Sequence, residues 1–125
     1  MRECGWRVVD PHRVARTPRS YQRYLAGALA EFTAIKGVDV GWRTGWMSDR
    51  AAAFLAMGRP VVTENTGAAK YLPDKSGFLF VDGVEEAAEA VRSVLSDWSR
   101  ISKEARQSAV DVFDSARNLR KILGV

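Results

Sequence analysis

The 125-residue sequence has one cysteine, Cys4, and one histidine, His12. A lone thiol excludes an internal disulfide and fits a cytoplasmic setting. One cysteine and one histidine also exclude a zinc site of the usual kind and leave little for a Cys–His catalytic pair. Neither a metal nor a cofactor is expected. No run approaches the roughly 18 apolar residues of a membrane span. The opening MRECGWRVVD lacks the apolar segment of a secretory signal. No long basic run or zinc-finger spacing accompanies the net charge of +4, so nucleic acid is an unlikely partner. No repeat or flexible linker divides the chain, and one domain over residues 1–125 is expected.

What is present is an ordinary folded-domain composition, 46% hydrophobic and 27% charged. Residues 6–9, WRVV, read as a buried strand ending at Asp10-Pro11. Thr17-Pro18 starts a helix, with a cap residue and then proline at its first position. Tyr21, Tyr24, Leu25 and Ala28 follow its spacing. Residues 31–36, EFTAIK, read as a second strand, and the glycine-rich 37–46 as a loop.

Ser48 is a good N-cap, with Asp49 in the first turn where the helix dipole favours an anion. The helix over 48–57 stops at Gly58. Pro60 to Thr63 make a third strand, with proline tolerated at its first residue. Thr66 to Ala69 open a helical turn that stops before Pro73. Residues 77–81, GFLFV, read as a fourth strand buried on both faces. Asp82 and Glu85 have the form of a capping box. Three amphipathic helices follow, carrying Val91 and Leu95, then Ile101 and Ala105, then Leu119 and Ile122.

Strands alternating with helices predict an α/β fold. The expectation is a three-layer Rossmann-like half, with a mainly parallel sheet of about four strands and C-terminal helices. Ligands in such sheets bind at the carboxyl edge of the strands.

The succession helix, G-R-P-V-V, T-G, G-F-L-F strand and D-x-x-E helix resembles the C-terminal, donor-binding half of group 1 glycosyltransferases of GT-B architecture. The likeness is strongest to the spore-coat-like sequences with S-D-R before the helix, and it covers residues 5–123. It implies a nucleoside diphosphate or nucleotide sugar as ligand, its diphosphate facing the start of helix 48–57. Exposed amide N–H groups and the positive dipole end suit phosphate there. The residues the resemblance brings to that crevice are Lys36, Gly45, Ser48, Asp49, Arg50, Thr66 and Gly67. Arg50 has a fork that fits phosphate; it has equally plain uses in pairing with Asp49 or Glu64, or in solvent. Ser48 caps the helix in either case.

The sequence departs from the broad family where many members carry two glutamates eight positions apart. Gly45 and Ala53 stand there, and no catalytic residue is assigned. The chain also has room for only one of the two domains that sugar transfer needs. The reading is therefore a donor-domain fragment that binds but does not catalyse alone, working with a partner chain, a missing N-terminal domain or a second copy. The alternative is a non-catalytic structural or oligomerisation module with an idle pocket. Trp6, Trp42, Trp46 and Trp98 are candidate interface anchors; core packing is the competing expectation, foremost for Trp6, and base stacking in a nucleotide pocket is another use for Trp42 or Trp46.

Overall fold

The computed structural model describes residues 2–72 and 77–125. The chain begins with a 3-10 turn, Arg2–Cys4, and a single helical turn α1, Pro11–Val14. Helix α2 spans Pro18–Ala26, strand β1 Glu31–Thr33 and helix α3 Gly37–Gly41. Helix α4, Asp49–Ala56, leads to strand β2, Val61–Glu64. A 3-10 turn, Ala68–Tyr71, precedes strand β3, Phe78–Val81. Helices α5, Val84–Ser96, α6, Trp98–Phe113, and α7, Ser115–Leu123, complete the order.

The local signals explain where the helices begin. Thr17 and Ser20 form a reciprocal capping box, with Pro18 preset for the first helical position. Ser48 Oγ accepts from the Arg50 amide to start α4. The helix stops as expected at Gly58, whose φ of 65° is left-handed.

The sheet is three-stranded and wholly parallel, ordered β1-β2-β3. The chain is mixed α/β and consistent with a Rossmann-like half, but among the described residues the sheet has three strands rather than about four. The missing strand is residues 6–9, which have no assigned secondary structure and no place in the sheet. An apolar run becomes a strand only when a neighbour takes its backbone hydrogen bonds. Three other expectations are corrected. Trp6 is exposed rather than in the core. The segment 37–41 is a short helix, not loop. The expected Asp82–Glu85 capping box does not form: Gly83 is the N-cap of α5 with no side-chain cap, and it is Glu86 that accepts from the Asp82 amide, at 2.8 Å. Pro73 lies outside the described residues.

Alternation along the strands divides the core into two. On one face Val61 packs with Phe54 and Leu55 of α4, Leu25 of α2, and Ala105 and Ala109 of α6. On the other, Val62 and Val81 pack with Ala90 and Val94 of α5 and Ile101 of α6. Gly77 fixes how close α6 comes: a Cβ there would lie 2.5 Å from that of Ala105. No helix among the described residues is long and apolar enough to cross a membrane.

Candidate functional site

The carboxyl edge of the sheet is built from the ends of β1 and β2, the loop 42–48 before α4, and the turn 65–67 after β2. The two loops are tied together. The Gly45 amide donates to the Thr66 carbonyl at 2.8 Å, and the buried Thr66 hydroxyl donates to the Trp46 carbonyl at 2.7 Å. Gly45 and Gly67 both have left-handed backbones, with φ of 77° and 87°. At Gly67 a side chain would also meet the Arg43 carbonyl, with Cβ 3.2 Å from its oxygen. Glycine is required there by conformation and by close approach.

The residues gathered from the sequence do converge on this edge, but most of their polar groups are already satisfied. The Gly67 amide donates to Asn65 Oδ1 at 2.9 Å. Ser48 Oγ is taken by the helix it caps. Asp49 is exposed, and its Oδ1 accepts from the Arg50 amide at 2.8 Å. Lys36 is exposed, and its side chain makes no hydrogen bond or ion pair among the described residues.

Arg50 has the most different role. Its Nε donates to Glu31 Oε1 at 2.6 Å and its Nη2 to Thr33 Oγ1 at 2.9 Å. It pairs with neither Asp49 nor Glu64 through its side chain. Instead it clamps the first turn of α4 to β1, and Thr33 Oγ1 donates in turn to Glu31 Oε1 at 2.8 Å. Glu64 is used elsewhere, its Oε2 accepting from the Ile35 amide at 2.6 Å. Glu31 is 5% exposed, and its Oε2 has no partner among the described residues. A buried carboxylate needs a cation and further donors; Arg50 and Thr33 supply both to one oxygen only. The sequence signal for this pairing was a charged residue opening an otherwise apolar strand. Its partner, 19 positions away, carried no local mark.

Two further residues belong to the edge. Arg43, with φ of 51°, donates from Nη1 to the Asn65 carbonyl at 2.8 Å and pairs with Asp82 at 3.3 Å. Tyr21 of α2 is partly buried against the core cluster that holds Ala51, Phe54 and Leu55 of α4. Burial pushes its hydroxyl pKa up; Arg50 draws it down, and Glu31 and Asp49 push it further up.

The space under the start of α4 is small. A cavity of about 10 Å³ lies between Thr33, Ile35, Ser48 and Thr63, no more than a single water fills. A ligand at this edge would therefore lie over the mouth of the crevice and not within it. The order of the described strands does not reverse, so no topological switch point marks the place. Cationic Lys36 and Arg43 are offset by Asp39, Asp49 and Asp82 nearby.

The tryptophans separate. Trp98 is half-buried, its indole N–H donating to the Leu29 carbonyl at 2.9 Å beneath the Arg59 guanidinium. It is a core anchor. Trp42 and Trp46 remain exposed. Among the described residues no group of three His, Cys, Asp or Glu side chains is placed to hold a metal.

Comparison with family models, with curated proteins and with solved structures gives no match. The functional reading rests on the residues and their geometry.

Proposed function

We propose that the chain binds the phosphate end of a nucleoside diphosphate or nucleotide sugar over the mouth of the crevice at α4, as a donor-side half that does not transfer sugar alone. One observation carries this reading. The eight-residue α4 begins at the carboxyl edge of the sheet, beside two left-handed glycine turns held together by the Gly45–Thr66 hydrogen bond. The dipole of α4 favours an anion at its start, although the Arg50 amide is already taken by Ser48 and Asp49. Arg50 serves this arrangement by positioning α4 on β1, and Lys36, after β1, is a cation without a side-chain partner among the described residues. Catalysis requires an acceptor aligned with the donor, so a partner surface is part of the proposal. The setting is cytoplasmic and no cofactor takes part.

Calorimetric titration of UDP, GDP and their sugar conjugates tests the reading. Binding is expected, and Lys36→Glu should weaken it about tenfold, the scale of one charge-assisted hydrogen bond. Absence of heat and of any thermal shift at ligand concentrations near 1 mM, where even a binding free energy of about −4 kcal/mol would register, would overturn it.

A second reading has its own observation. On the opposite face of the sheet an apolar groove of about 620 Å³ runs between β1 and α5. A surface of that kind marks an interaction module.

A further inference from the structure

The groove exists because α5 covers β2 and β3 but not β1. Phe32, the one β1 side chain on that face, is 52% exposed. It lies with Leu29 and Trp6 on one wall, while Val84, Val91 and Leu95 of α5 form the other. The surface is almost wholly apolar.

Helix α7 shows the complementary shortage. It is the most strongly amphipathic helix of the chain, yet none of its residues is buried. Leu119, Ile122 and Leu123 form an exposed stripe. A nine-residue helix is marginal unless it packs its apolar face, even with Asp114 capping one end and Gly124 the other. The charges fit in part. Glu85 and Glu89 flank the groove side of α5 and could meet Arg117, Arg120 and Lys121 of α7, while Arg92 on the groove wall must lie beside the apolar stripe and not beside those cations.

We propose that α7 of a second copy of this chain fills the groove between β1 and α5, in a reciprocal, two-fold exchange. The chain's own α7 is delivered elsewhere. The end of α6 lies against α4 on the other face of the sheet, and Asp114 alone separates α6 from α7. Asn118 Nδ2 and Arg117 Nη1 also donate back to the Val112 and Asp111 carbonyls, holding the turn. Reciprocity doubles the surface covered. The exposed groove residues Trp6, Leu29, Phe32, Val84, Val91 and Leu95 and the α7 stripe Leu119, Ile122 and Leu123 are each covered twice, once per protomer. The exchange also closes the assembly, since each groove and each helix is used once.

Sedimentation velocity over a concentration series tests this with two variants. Ile122→Asp disables the helix and Leu95→Asp the groove; both positions are well exposed, at 78% and 61%, so the fold should hold, as circular dichroism will report. The wild-type chain should dimerise, and each variant alone should be monomeric at concentrations about 100-fold above the wild-type Kd. A mixture of the two variants retains one intact helix–groove pair and should recover a weaker heterodimer. Serine at either position gives the same reading should aspartate unfold the chain. A wild-type monomer at all concentrations, a dimer indifferent to either substitution, or a mixture without heterodimer overturns the proposal.

Discussion

The two faces of β1 could hardly differ more. Toward α4 the strand presents Glu31 and Thr33, both engaged by Arg50, and the cavity left there measures about 10 Å³. Toward α5 it presents Phe32, half exposed at the edge of a 620 Å³ groove. The lining of each face inverts the usual expectation, since the closed face holds the charges and the open one the apolar side chains. A buried ion pair fixes how α4 sits on the sheet by direction and length. The groove is held by nothing of the kind, and its apolar lining lowers the free energy only when something covers it.

The largest effect that separates the faces is a pair of truncations. Leu55 of α4 is fully buried and Leu95 of α5 mostly exposed. Leu55→Ala should destabilise the monomer by about 3 kcal/mol, through lost transfer energy and a residual cavity. Leu95→Ala should change it by less than about 0.5 kcal/mol. Urea unfolding at a dilution that keeps the chain monomeric checks both. Similar losses would mean that α5 is packed as fully as α4, and the contrast between the faces would fail.

The ion pair gives the next largest effect. Arg50→Ala leaves Glu31 buried beside Thr33 with no cation, and should cost about 3 kcal/mol, the low end for breaking a buried pair because the guanidinium is half in solvent. The double change Glu31→Leu with Arg50→Ala should recover most of that. Unfolding of the single and double variants closes the cycle. A loss in the double variant equal to the sum of the single losses would remove the coupling. One consequence bears on the ligand: weaker nucleotide binding in Arg50→Ala would report a displaced α4 and not a lost phosphate contact, which is why Lys36 is the better probe.

What the sequence disclosed, and what it hid, follows the range of the interactions. Helix starts at Thr17-Pro18 and Ser48 and the stop at Gly58 are legible because each is decided within four residues. Strands β1 to β3 are legible as short apolar runs, and their parallel pairing follows from the helix between β1 and β2. Residues 6–9 show the limit. Their pattern is that of a strand, but pairing depends on a neighbour that no local pattern announces. The bonding of the residues at the carboxyl edge is not legible in the sequence. Arg50 meets Glu31, Gly45 meets Thr66, and Arg43 meets Asn65, each across 19 to 22 positions. Segment 37–41 differs for another reason: two glycines suggest loop, but they sit at the ends of a five-residue helix.

Tyr21 offers the finest test of the closed face. Its hydroxyl pKa is raised above 10.0, first by burial, with Arg50 opposing and Glu31 and Asp49 reinforcing. The neutral phenol is thus favoured in the folded chain. Its contribution to stability is present in full below the unfolded value of about 10 and is lost as pH rises through the higher folded value. The difference in unfolding free energy between wild type and Tyr21→Phe should stay flat at neutral pH. Above about pH 10 the wild type should decline faster, since its unfolded state releases a proton that its folded state still holds. Parallel decline of the two proteins would place Tyr21 in solvent, away from the pair that locks α4 to β1. Adding Arg50→Ala in the Tyr21 background should steepen the wild-type decline, because it removes the one charge that favours the phenolate while Glu31 stays.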